Sequence, residues 1–188
     1  MRKRASIVFL ALVFLGVSGI LSCETLNIAV TGNLFRPADS NFRDLYGSSA
    51  FFPEIRVEKS FHLGLSLWGS YSGFSKDAKS AVLGLAIESK QSLYGFGLSY
   101  KIPLKETLKL RLEAGLFADH HKEEGMGVKA SGTAIGLRAG CGLVHKLSGP
   151  LSLLGELSYM KASDTDTVEG EDFDLGGLRF GFGFGLSL

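Results

Sequence analysis

The sequence predicts an all-β protein: a closed, antiparallel, up-and-down transmembrane β-barrel of eight strands. Three observations predict it. From Thr25 to Leu188 apolar residues recur at every second position, the period of a strand and not the 3.6 of a helix. The polar segments between these runs alternate in length, long then short. Beyond Glu24 no apolar run approaches the roughly 18 residues of a spanning helix, so contact with hydrocarbon has to come from strands.

Composition agrees. The 188 residues include 25 glycines, about twice the ordinary share, and only 4 prolines, which excludes a Pro/Gly linker or a collagen. With 20 Lys+Arg against 19 Asp+Glu, the chain is no strongly basic nucleic-acid binder. Two cysteines cannot build a Cys-rich zinc site or a disulfide scaffold.

Residues 1–23 read as a signal peptide and 24–188 as the barrel domain. Met1-Arg2-Lys3-Arg4 is a basic start, Ala5 to Leu21 an apolar stretch, and Ser22-Cys23 supplies the small residues before Glu24. A membrane anchor is the competing reading, because this stretch just reaches the lower spanning limit. Ile20-Leu21-Ser22-Cys23 also resembles a bacterial lipobox, in which the cysteine carries lipid. Removing Arg2, Lys3 and Arg4 leaves 17 of the 20 cations against 19 anions.

The strands follow in order. Leu26, Ile28, Val30 and Leu34 share one face of the first segment, with Asn27, Ala29, Thr31 and Asn33 on the other. Phe51, Ile55 and Val57 then oppose Phe52, Glu54, Arg56 and Glu58, and Leu63, Leu65, Leu67 and Tyr71 oppose Gly64, Ser66, Trp68, Ser70 and Ser72. Between Ser80 and Lys101 the apolar parity changes, from Ala81, Leu83, Leu85 and Ile87 to Tyr94, Phe96, Leu98 and Tyr100. A turn there gives nine strands; a β-bulge near Glu88–Ser92 gives one long bent strand and an even total of eight, as bacterial barrels require. Leu108 to Leu116, Thr133 to Leu143, Leu151 to Tyr159 and Leu178 to Leu188 complete the set. Long connections are expected at Arg36–Ser49, Gly73–Lys79, Asp119–Ala130 and Lys161–Phe173, short ones at Ser60–His62, Ile102–Thr107 and Lys146–Pro150. Both termini then lie on the short-turn, periplasmic side.

The apolar face is expected to meet lipid. Eight strands leave an interior only wide enough for side chains, and glycine, serine and alanine with a few charges suit it better than rows of leucine. Glu54, Arg56, Glu58, Lys109, Arg111, Glu113, Arg138, Glu156 and Arg179 all fall on the small-residue face. Five cations near four anions predict a salt-bridge network that fills the lumen. The alternative, a soluble sheet with these charges in solvent, leaves the apolar face uncovered.

The C-terminal strand, with Phe180, Phe182, Phe184, Leu186 and Leu188 at alternate positions, resembles the assembly signal of the small OmpA- and OmpX-type outer-membrane barrels. Asn33-Leu34-Phe35-Arg36-Pro37 followed by Phe42 and Tyr46-Gly47, and Gly176-Gly177-Leu178, are similar to that family's first and last strands. The resemblance covers the whole of residues 24–188. It implies residence in the bacterial outer membrane, contact with outer-membrane lipid and lipopolysaccharide, and insertion by the barrel-assembly machinery. It implies no activity.

The search for chemistry finds one dense run, Asp119-His120-His121-Lys122-Glu123-Glu124, expected on a loop. Its histidines could hold a divalent ion or act as a base toward Ser131, but they lack the spacing of a known site. The acidic residues Asp164, Asp166, Glu169, Glu171, Asp172 and Asp174 make the fourth long loop a candidate for divalent cations. The expectation is a non-enzymatic envelope-structural or surface-interaction protein with four extracellular loops, no cofactor, metal or nucleic-acid partner, and an unidentified loop partner. A narrow pore, a lipid-modifying enzyme and a soluble or lipid-anchored barrel are the alternatives.

Overall fold

The computed structural model describes residues 25–38, 40, 43, 47–79, 86–125, 128–164, 173–174 and 176–188. The signal-peptide expectation, Phe42 and Tyr46, the apolar positions 81, 83 and 85, and most of the acidic fourth loop lie outside these residues.

Eight long strands follow one another: β1 (Thr25–Pro37), β2 (Ala50–Ser60), β3 (Leu65–Lys79), β4 (Ala86–Pro103), β5 (Leu108–Gly125), β6 (Val128–Ser148), β7 (Leu151–Asp164) and β8 (Gly177–Ser187). Each pairs antiparallel with its sequence neighbours, and β1 pairs with β8 from Asn27↔Ser187 to Pro37↔Gly177, which closes the ring. A two-residue strand, Phe173–Asp174, pairs only with the outer end of β7. Among the described residues no helix is long and apolar enough to cross a membrane.

The period-2 pattern becomes two surfaces. Phe180, Phe182 and Phe184 are each more than half exposed, as are Leu34, Leu116 and Leu137, while Arg179 and Trp68 are sealed from solvent. A soluble core would invert that order. The apolar rows therefore point away from the barrel, and its interior carries the charges.

The ends of the strands differ from the sequence expectation. Gly73–Lys79 is not a loop but the outer part of β3, paired from Gly73↔Ser92 to Lys79↔Ala86. Asp119–Ala130 is likewise a hairpin, paired out to Gly125↔Val128. The register of β3 with β4 runs unbroken from Leu65↔Tyr100, so no bulge lies at Glu88–Ser92. Among the described residues the one register shift sits instead at Lys146/Ser148, beside a short turn. The reason is that apolar–polar alternation is demanded only where one face meets hydrocarbon. Beyond that depth the outer face no longer meets hydrocarbon, polar residues occupy both faces, with Ser89, Gln91 and Asp119 buried inside and Lys90, His120 and Lys122 exposed outside, and backbone pairing continues without a binary signature.

The short turns are tight. Phe61–Leu65 closes through a 3-10 turn, His62–Gly64, in which Leu63 has φ 63° and Gly64 φ 79°. At Gly64 a Cβ would strike the Lys101 backbone, so glycine is required there.

Candidate functional site in the barrel lumen

Alternation on five strands carries seven of the nine predicted charges to one place. Glu54 and Arg56 come from β2, Arg111 and Glu113 from β5, Arg138 from β6, Glu156 from β7 and Arg179 from β8. All seven are buried. Arg56 Nη1 donates to Glu113 Oε2 at 2.5 Å, and Arg138 Nη2 reaches Glu113 Oε1 at 2.8 Å. Arg111 Nη2 donates to Glu156 Oε2 at 2.5 Å, and Arg179 Nη2 donates to Glu156 Oε1 at 2.7 Å. Glu54 accepts from Arg138 at 3.0 Å and from Arg179 Nη1. Arg179 Nε also donates to Ser158 Oγ at 3.2 Å.

Every carboxylate in this cluster thus faces several guanidiniums, and each guanidinium at least one carboxylate. That mutual coordination is what makes buried charge tolerable, because an unpaired ion in such surroundings costs several kcal/mol. The four arginines face three glutamates, so the cluster holds one positive charge in excess.

The other two predicted members stand apart. Glu58 pairs with Lys101 of β4, nearer the short turns, and Lys101 also approaches Ser60 Oγ at 3.4 Å. Lys109 shares the lumen-facing parity of Arg111 but is exposed, because it lies at the very start of β5 where the barrel wall ends. It does not join the network.

Sequence reasoning missed two participants. Trp68 is wholly buried between guanidiniums, with Arg56 at 4.7 Å and Arg138 at 5.0 Å from its ring, and its Nε1 donates to the Leu98 carbonyl at 3.1 Å. Gly97 and Gly115 make room for it, since a Cβ at either would lie 2.8 Å from the indole. The signal was present as a single tryptophan on a face otherwise built of glycine and serine. Lys101 was the second, passed over because it follows Tyr100 at a strand end.

Bulky side chains occupy the rest of the bore. Phe117, Ala134, Met160 and Ala162 form a buried apolar plug, with Leu93 against it, and the Phe35 and Phe52 rings pack at 5.9 Å. On the short-turn side a cavity of about 30 Å³ lies among Asn27, Arg56, Glu58, Lys101 and Arg111. That is room for about two waters.

The loop chemistry is also relocated. His120 and His121 lie within β5, and His120 Nδ1 is 3.0 Å from Thr133 Oγ1 rather than directed at Ser131, which pairs with Lys122. Among the described residues no three His, Cys, Asp or Glu side chains converge as metal ligands.

An apolar outer wall around a paired, filled interior defines a transmembrane barrel. No protein-family profile matches the chain, and no curated protein matches its sequence. Solved structures do match it. Neisserial surface protein A (NspA) superposes with a TM-score of 0.67 at 14% identity, over 87% of this chain and 97% of that one. The N-terminal β-barrel domain of Pseudomonas aeruginosa OprF gives 0.61 at 13%, over 88% and 98%. Ail, the attachment invasion locus protein of Yersinia pestis, gives 0.56 at 14%, over 87% and 97%. The chain has the fold of these small outer-membrane barrels.

Proposed function

We propose that this protein is an integral barrel of a bacterial outer membrane that acts without catalysis, as a structural element of the envelope and as a surface-interaction protein through its four extracellular connections. Export by residues 1–23 and recognition of Phe180, Phe182, Phe184, Leu186 and Leu188 by the barrel-assembly machinery belong to the same reading.

The observation that carries it is the contrast between the two ends of the bore. The lumen is crossed by the ion cluster, which supports a closed barrel over a pore. Outside it, β3 to β6 run on together: β2 last pairs with β3 at Glu54↔Ser72 and β7 last pairs with β6 at Gly136↔Ala162. The four strands between continue to Lys79↔Ala86 and Gly125↔Val128 as a projecting sheet. Strand edges of this kind offer backbone N–H and C=O groups to a partner. Two neighbours of the same fold are named as a surface protein and an attachment protein.

The test is to express the full chain in a bacterium, extract it in detergent, and compare boiled with unboiled samples on a gel. A mobility shift, together with no steady current in planar bilayers, is expected. A protein soluble without detergent and showing no shift overturns the transmembrane reading; steady channels overturn the closed lumen.

A further inference from the structure

Two features of the lumen are left open by its ion pairs, a charge and a pair of donors. Adding the Glu58–Lys101 pair to the seven-membered cluster gives five cations against four carboxylates, so one positive charge stays in excess. Asp119, the remaining buried carboxylate among the described residues, lies two residues beyond Phe117 on β5, across the apolar plug from Arg111 and Glu113. The donors are Arg56 Nε and Arg111 Nε. Both are buried without a hydrogen-bond partner, although Glu113 and Glu156 hold Nη groups of the same two residues. Buried N–H groups and buried net charge are each costly unless a partner answers them.

Both arginines line the cavity of about 30 Å³ on the short-turn side. A third orphan donor, Arg138 Nε, belongs to a residue outside that wall. The other charged members of the wall, Lys101 and Glu58, are paired with each other. Its polar side chains are engaged as well: Asn27 donates to Ser60 Oγ and accepts from Ser187 Oγ, and Ser152 donates to the Gly185 carbonyl. What remains of the wall is apolar. Three cations to one carboxylate favour a negative guest, and the orphaned groups of the wall's arginines are donors, so that guest has to accept. Room for about two waters excludes phosphate, sulfate and carboxylate ligands and leaves a single-atom anion. A water satisfies the N–H groups but leaves the charge.

We propose that the cavity binds one chloride ion, which accepts from Arg56 Nε and Arg111 Nε and cancels the excess positive charge of the lumen. The ion enters from the short-turn end past Lys101, the most exposed of the four charged groups in the wall. The site depends on the interior of the barrel and not on what surrounds it.

The experiment uses the detergent-extracted protein reconstituted in phospholipid vesicles, the variants R111M and A29L, and K109Q as a control, since Lys109 is exposed and outside the cavity wall. The midpoint of urea unfolding is measured in sodium chloride, sodium bromide and sodium gluconate at equal ionic strength, and wild-type crystals grown in bromide are examined by anomalous diffraction. Wild type and K109Q are expected to gain stability saturably with either halide and not with gluconate. R111M is expected to bind chloride about 10- to 100-fold more weakly, the loss of one hydrogen bond to a charged group. A29L keeps every charge but fills the cavity, and is expected to lose the halide response altogether. The bromide crystals are expected to show an anomalous peak within hydrogen-bond reach of both Nε atoms. An equal gain in gluconate makes the effect ionic screening and overturns the site. So does a halide response unchanged in R111M or A29L, or a bromide crystal with water only in the cavity, a result that holds even if neither variant folds.

Discussion

The unequal charge of the lumen cluster predicts an unequal response to removing its members. Glu156 is 2.5 Å from Arg111, 2.7 Å from Arg179, 3.4 Å from Arg138 and 4.0 Å from Arg56. Glu156→Gln keeps the shape but removes a charge that all four guanidiniums share, leaving them against only Glu54 and Glu113. Stripping one partner from a buried ion pair costs about 3–5 kcal/mol, and the four-fold coordination here places the expected loss at the upper end. Arg111→Met has the opposite effect on the balance. It leaves three guanidiniums against three carboxylates, retains the apolar stem, and gives up contacts of 2.5 Å to Glu156 and 3.4 Å to Glu113. Replacement of a buried charge by an apolar group of similar volume is often close to neutral when no net charge is stranded, so the expected loss is about 1 kcal/mol. Urea unfolding in phospholipid vesicles measures both, followed by gel mobility and by emission of Trp68, the chain's single tryptophan, which lies against Arg56 and Arg138. R111M as damaging as E156Q would refute the excess-charge argument, because local packing and not charge balance would then set the cost.

Trp68→Ala is expected to lower stability by about 3–5 kcal/mol, read by gel mobility because the reporter is gone, and to produce current in planar bilayers by letting water into the bore. A silent bilayer and a loss under about 1 kcal/mol would show that the indole does not close the lumen. Gly97→Val is expected to abolish the heat-modifiable band, since its Cβ would lie 2.6 Å from Gly115 Cα and 2.8 Å from Trp68; a normal band would mean the β4–β5 spacing is looser than described. Cys141 is free and exposed on the outward face of β6. In a Cys23→Ser background a charged, membrane-impermeant thiol reagent should leave it unmodified in vesicles and label it fully in urea, and rapid labelling in vesicles would put this face in water.

Much of the barrel was legible because a membrane imposes a strong demand on each residue that faces it. Phe180, Phe182 and Phe184 alternate with glycine and arginine since a one-residue slip would bury the wrong set. The same parity sets the charges from Glu54 to Arg179 on the face opposite the apolar rows. Parity tells which way a side chain points and not whether the wall extends far enough to cover it, as at Lys109, which is exposed.

What escaped the sequence has two physical causes. Ion-pair partners depend on how strands are staggered around the ring, and Glu54, Arg138 and Arg179 meet across strands far apart in the chain through a stagger that no local pattern records. The strand ends escaped because the alternation is written by the hydrocarbon and not by the strand. Gly73–Lys79 and Asp119–Ala130 remain paired, yet with the outer face clear of hydrocarbon and the buried inner positions polar, as at Ser89, Gln91 and Asp119, nothing selects apolar residues at every second place. The point at which alternation fades, near Tyr71, Tyr94 and Ile135, is therefore a marker of membrane depth.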